Sequence, residues 1–229
     1  MSLPDNMNQY ITKKTTWFVV ISQLVMMGWT FASSMFHGGW VSASVIVWAS
    51  VITYVAYAIF TKNVVFQKLV LFGFAVGALE LLADNYSINT LGALHYPADE
   101  PKLWPTDSPV YMAPSWMVAI VQLGWYSLLL IRWKGVAIAT VAMTFLGGSY
   151  IPSYEWMAKN ADWWYYNNVT MIMKVVPEYI IGCELLLSIF IPFLIYQSMK
   201  RDWYWSIIFG ALEGLWIWPA AAIAYAITG

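Results

Sequence analysis

The sequence predicts an all-α polytopic membrane protein, a bundle of about seven transmembrane helices with its N-terminus inside and its C-terminus outside. Composition is the first observation behind this: 61% of the 229 residues are apolar, 10% are charged, and the mean hydropathy is +0.62. Soluble domains run at about 45–50% apolar and about 25% charged. The second is a series of apolar runs of the roughly 18–25 residues that a hydrocarbon layer about 30 Å thick requires of a helix. Seven occur, at about 16–36, 40–60, 64–84, 110–131, 135–157, 171–198 and 204–228. No stretch between them is long enough to hold a core in water, so residues 1–229 read as a single transmembrane domain.

The distribution of Lys and Arg orients the runs. Lys13 and Lys14 precede the first run, Lys62 and Lys68 flank the joint of the second and third, Arg132 and Lys134 join the fourth and fifth, and Lys200 and Arg201 join the last two. All fall on one side of a seven-span path. The other side holds Lys102 and Lys159, with Lys174 a little way into the sixth run. The positive-inside rule then puts the N-terminus in the cytoplasm and Gly229 outside. The first run looks somewhat like a signal sequence but is long and lacks a small-residue cleavage site, so it reads as a retained span. A multi-pass protein of the bacterial inner membrane or the endoplasmic reticulum is expected, with membrane lipid around it. A net charge of −1 gives no reason to expect nucleic acid, and the lone Cys183 can form neither an internal disulfide nor a thiolate cluster. The oligomeric state is not legible.

Acidic residues are placed differently. Glu80 and Asp84 come late in the third run, Glu155 late in the fifth, Glu178 and Glu184 in the sixth, and Glu213 near the middle of the seventh. At 1.5 Å of rise per residue, most sit near the midplane or in the outer half. An intramembrane carboxyl is costly unless it is paired, protonated or facing a wet cavity. Asp84 and Glu155 have an ordinary explanation if they are solvated at the outer interface, and Glu178 has one if it pairs with Lys174. Glu80, Glu184 and Glu213 have no basic residue within a turn, so a functional or strongly hydrogen-bonded role is expected of them.

The chain also echoes itself. Glu80-Leu81-Leu82-Ala83-Asp84-Asn85 matches Glu155-Trp156-Met157-Ala158-Lys159-Asn160 as E-x-x-A-x-N. Each copy ends a run and is followed by an aromatic loop and then a proline, Pro114 or Pro177, at the next run. Residues of about 64–131 and 135–198 thus read as a possible repeated helix pair, with a site expected at its interface.

This order of acid, aromatic loop and Pro-led helix resembles the small membrane enzymes of carotenoid synthesis, the fused lycopene cyclases and the carotenoid hydratases. The size and seven-span layout also resemble the membrane-bound meroterpenoid cyclases. The resemblance covers roughly residues 80–185 and departs from the pattern at Ser115 and Trp116 after Pro114, and at Tyr179 after Glu178, which leaves the identity of the proton donor open. It implies a cofactor-independent isoprenoid cyclase or hydratase acting on a lipophilic small molecule. A carboxylic acid would protonate a polyene or epoxide, aromatic faces would stabilise the cation, and a second carboxyl would take a proton back or position water. Candidates for the acid-base work are Glu80, Glu178, Glu155, Glu213 and Asp84. Those for the substrate pocket are Trp116, Tyr150, Tyr154, Trp156 and Tyr179, whereas Trp163-Trp164-Tyr165-Tyr166 reads as an interfacial belt, where Trp and Tyr gather.

Counting removes other classes. Two histidines, His37 and His95, are too few for a membrane di-iron site, and the last run has no lysine to hold retinal. No Asp-rich prenyl-transferase motif and no phosphate loop occurs. A proton-coupled transporter or a seven-helix ligand receptor remains as the alternative, because it too would keep carboxyls inside a bundle.

Overall fold

A computed structural model describes residues 3–228. After a single turn, α1 (Asp5–Asn8), come α2 (Lys13–Phe36), α3 (Gly39–Thr61), α4 (Val64–Asn85), α5 (Met112–Asn160), α6 (Glu178–Met199) and α7 (Trp203–Thr228), with a π-helical turn, Tyr86–Thr90, prolonging α4. Six of these helices are long and apolar enough to cross a membrane. Helix α5 counts twice. Its 49 residues would measure about 73 Å if straight, more than double the hydrocarbon layer. The break is at Gly135, with φ 79° and ψ 172°, a conformation that glycine adopts without a Cβ penalty. Across it the Tyr150 hydroxyl donates to the Gln122 side chain, although on a straight helix these residues would stand about 42 Å apart. Residues 112–134 and 136–160 therefore form two antiparallel arms, and the chain makes seven passes.

Contacts sort the joints onto two ends of the bundle. At one end Asn63 Nδ2 donates to the Tyr10 carbonyl at 2.8 Å, Arg132 Nη1 to the Ile11 carbonyl at 2.7 Å, and Lys68 Nζ to the Ser198 carbonyl at 3.1 Å. The last of these meets the carbonyl end of α6, where a cation is favourable. These are the Lys- and Arg-rich joints that the sequence grouped together. At the other end the Gly39 amide donates to the Ala161 carbonyl at 2.8 Å, and His37 meets Asp162 at 3.0 Å. Gly229, expected on that side, lies outside the described residues. Outward faces of α2 and α3 expose Ile21, Leu24, Ile52 and Phe60, a surface suited to lipid rather than water.

The sixth run is corrected. Residues 171–177 form a small ribbon, with β3 (Met171–Ile172) paired antiparallel to β4 (Val176–Pro177), and α6 begins only at Glu178 with Pro177 as its N-cap. Met173 and Lys174 make the turn at φ 53° and 61°. Lys174 therefore lies at an exposed tip, and the Lys174–Glu178 pair that would have explained Glu178 does not form among the described residues. A second ribbon pairs β1 (Leu94–His95) with β2 (Tyr165–Tyr166) and ties the two long loops into one cap.

Both copies of E-x-x-A-x-N end a helix on its asparagine, Asn85 in α4 and Asn160 in α5. Glycines let the helices that carry the acids approach closely. A Cβ on Gly77 would overlap the Ala113 carbonyl oxygen of α5, and one on Gly214 of α7 would stand 2.7 Å from the Val76 carbonyl oxygen of α4. Such close approach is how membrane helices pack when no hydrophobic force distinguishes them from lipid.

A cavity of four carboxyls under an aromatic cap

Beneath the cap lies a cavity of about 130 Å³. Helical spacing explains which side chains reach it. From α4 and its π turn come Glu80, Ala83, Asp84 and Ser87, at i, i+3, i+4 and i+7; from the first arm of α5 come Met112, Ser115, Trp116 and Ala119 in the same rhythm. The returning arm adds Tyr150, Ile151, Tyr154 and Glu155, and α6 adds Ile180, Cys183 and Glu184. Four carboxyls thus converge, at 4% exposure for Glu80, 5% for Asp84, 7% for Glu155 and 3% for Glu184. Among the described residues no Lys or Arg forms a salt bridge with any of them.

The cap supplies donors. The Tyr96 hydroxyl donates to Asp84 Oδ1 at 2.8 Å, and the Trp164 indole N–H to Glu155 Oε2 at 2.6 Å. Asp84 and Glu155 are each met by an aromatic donor from the loop that follows their own helix. Oε2 of Glu80 and Oε2 of Glu184 are buried without a hydrogen-bond partner in the protein, as is Oδ2 of Asp84. The Trp116 ring stands beside Glu80. Trp163, Trp164, Tyr96, Tyr111 and Tyr166 complete an aromatic roof.

Of the residues singled out from the sequence, the structure brings Glu80, Asp84, Glu155, Trp116, Tyr150 and Tyr154 together around this space. Asp84 and Glu155 are not solvated at an interface, because the cap covers both. Glu178 is half-buried in the first turn of α6 and lines no part of the cavity; six residues separate it from Glu184, which turns it about 120° away. Glu213 is fully buried in α7, both carboxyl oxygens unpartnered, close enough to Glu184 for their charges to interact but outside the wall. Trp156 is exposed on the outer face of α5. Tyr179 forms a second layer, edge-on to Tyr166 with ring centres 6.3 Å apart.

The span from α4 to α7 that builds this cavity is also what identifies the chain. It belongs to the family described as Domain of unknown function (DUF6989), whose model matches residues 81–228. The DUF6989 segment includes Asp84, Glu155, Glu184 and Glu213 and begins one residue after Glu80. Helices α2 and α3, which contribute Met26, Thr30, Ala43, Ile46 and Val47 to the wall, precede it. Neither a curated protein nor a solved structure matches the chain.

The cap was the feature that sequence reasoning missed. Trp163, Trp164 and Tyr166 are cage rather than belt, since all three line the cavity and only Tyr165 of the four is exposed. The loop is held there by the pairing of Tyr165 and Tyr166 with His95 and Leu94, which spans about seventy residues of chain that local patterning does not report. A polar chain below the cavity was missed as well. The Ser22 and Tyr54 hydroxyls lie 2.8 Å apart, Gln122 Nε2 donates to the Tyr54 hydroxyl at 3.0 Å, and Gln122 accepts from Tyr150.

Proposed function

We propose that the chain is a membrane-embedded, cofactor-independent acid catalyst that cyclises or hydrates an isoprenoid, working in a bacterial inner membrane or the endoplasmic reticulum. The observation that carries this reading is the convergence of four carboxyls, without a cation, on a cavity walled by aromatic faces. In an apolar site a carboxyl with no counter-charge carries its proton. Glu80 and Glu184, each with an unpartnered buried oxygen, are placed to give that proton to a double bond or epoxide. The electron pair of the alkene takes it up, and the positive charge develops beside Trp116, Trp163 and Trp164, whose faces attract cations. Asp84 and Glu155, held by Tyr96 and Trp164, are placed to take a proton from the carbon next to the cation, or from water that adds to it.

Size narrows the substrate. Cavities of this volume accept a single small ring, so the site suits one end of an isoprenoid chain, with the remainder lying outside it. The test is lipid extraction and mass spectrometry from host cells with and without the protein. A new or consumed isoprenoid is expected; an unchanged isoprenoid profile in hosts that supply linear isoprenoids would refute the reading.

The polar chain Ser22–Tyr54–Gln122–Tyr150 favours a second reading, a proton-coupled transporter or a ligand receptor, because it extends polarity from the cavity toward the Lys- and Arg-rich end. Proteoliposomes with an internal pH dye would show proton flux under that reading and none under the first.

A further inference from the structure

We propose that Glu100, in the cap, is the outer end of a proton relay that passes Tyr111 and Ser108 and exchanges protons between Asp84 and the outer aqueous face. The proposal rests on the acid-catalyst reading, in which Asp84 must give up the proton it takes before the next turnover.

The loop before α5 folds back on itself, the Leu103 amide donating to the Ser108 carbonyl at 2.8 Å and the Val110 amide to the Pro101 carbonyl at 3.1 Å. Along residues 98–105 every side chain is exposed except that of Glu100, which turns inward to 4% exposure. Neither of its carboxyl oxygens has a partner among the described residues. Next to it stands Tyr111, which lines the cavity and whose buried hydroxyl faces the Glu100 carboxyl without closing a hydrogen bond to it. Ser108, fully buried, brings its hydroxyl toward Asp84 and is likewise unpartnered, as is Asp84 Oδ2. Buried polar atoms are almost always paired, with protein or with ordered water. A row of them running from just under the surface to the cavity is a path that a short file of waters completes.

Carboxyl, hydroxyl and water can each give one proton while accepting another, so the path conducts. The Asp84 O–H proton passes to the Ser108 hydroxyl, which gives its own proton through water to the Tyr111 hydroxyl, and Tyr111 gives its own to the Glu100 carboxylate. The Glu100 O–H proton is then released outside. Its surroundings suit this: burial raises Glu100 from 4.5 to about 7, the Tyr111 hydroxyl lowers it, Asp99 raises it, Lys102 lowers it and Asp84 raises it. A group that titrates near neutrality both gains and loses its proton readily.

The test needs no substrate. Purified protein in detergent is moved into D2O, and hydrogen–deuterium exchange of the buried carboxyl band is followed by infrared spectroscopy, the Asp84 contribution being assigned from its loss in Asp84→Asn. Glu100→Gln should slow exchange of that band by about tenfold or more, the rate equivalent of one lost hydrogen-bonding link, and Glu100→Asp should restore it. Asp162→Asn, on the same face but off the path, should exchange like the parent. If Glu100→Gln fails to fold, Tyr111→Phe carries the same expectation. Exchange at the parental rate in a folded Glu100→Gln or Tyr111→Phe would overturn the relay. Loss of product in Glu80→Gln with that parental exchange rate would remove the relay alone. Slowed exchange in a protein that turns over no isoprenoid would instead remove the catalytic reading and keep the relay.

Discussion

Glu80→Gln separates catalysis from architecture at the centre of the cavity. Glutamine matches a protonated glutamate in shape and still donates a hydrogen bond, but it cannot deliver a proton. No Lys or Arg forms a salt bridge with Glu80 among the described residues; its neighbours are Asp84, Glu184 and Trp116. The substitution therefore strands no cation, and its cost to folding should stay within about 1 kcal/mol. Were Glu80 half of a buried ion pair, losing its charge would cost roughly 3–5 kcal/mol. At about 2–4 °C per kcal/mol for a chain of this length, the two cases differ as a melting shift of at most about 4 °C against roughly 6–20 °C. Thermal unfolding in detergent and product analysis on the same preparation read both quantities. The expected result is a parental melting temperature with turnover abolished. Full turnover in Glu80→Gln would refute the assignment of Glu80 as donor, and a large melting loss would refute the claim that no charge pairs with it.

Three further outcomes follow from the same geometry. Reporter fusions after Lys62, Arg132 and Arg201 should read cytoplasmic and fusions near Asp99 and Asp162 external; a cytoplasmic reading at Asp99 would invert the bundle and put the cap inside the cell. Gly77→Val should destabilise by about 1–3 kcal/mol or more, because its Cβ meets the Ala113 carbonyl oxygen rather than a movable side chain; an unchanged melting temperature would show that α4 and α5 can separate. Because the folded state raises Glu100 from 4.5 to about 7, the stability this group contributes is present in full below its unfolded value and lost as pH rises through about 7. The melting temperature should therefore fall between pH 5 and pH 8, and fall less in Glu100→Gln, which differential scanning fluorimetry will measure.

What could be read from the chain was what hydropathy and charge encode. All seven passes were legible, including the turn at Gly135, where Arg132, Trp133, Lys134 and Gly135 interrupt the apolar pattern. The start of α6 was not, because Met171, Ile172, Met173, Val175 and Val176 are as apolar as a helix, whereas Pro177 and the turn at Met173 and Lys174 are matters of backbone. The choice between Glu178 and Glu184 was open to inspection: on a helix that begins just after Pro177 they point about 120° apart, and Ile180, Cys183 and Glu184 share a stripe. The aromatic roof was hidden because β1 and β2 meet through the tertiary fold, and a run such as Trp163-Trp164-Tyr165-Tyr166 looks the same whether it faces lipid or a cavity.

The distribution of packing along the membrane normal bears on how the cavity is used. Toward the Lys- and Arg-rich end the polar chain stops at Ser22, about 13 Å from Lys13 along α2. Below it Phe18 stacks on Tyr57 with ring centres 3.8 Å apart, Phe66 meets both edge-on, and Trp125 packs against Phe66. Phe66 and Trp125 are fully buried. A transporter that exposed the carboxyls to each side in turn would have to wet this plug. Each buried aromatic holds about 150–250 Å² out of water, worth about 4–6 kcal/mol at 25 cal/mol per Å². Wetting two of them costs more than a helix bundle spends on a routine rocking motion, whereas a catalyst needs no second opening. The polar groups of the plug are satisfied within it, Tyr57 donating to Thr15 and Trp125 to Thr16, whereas oxygens of Glu80, Asp84 and Glu184 under the cap are left unpartnered, and that asymmetry weighs toward a pocket that exchanges with its surroundings at one end.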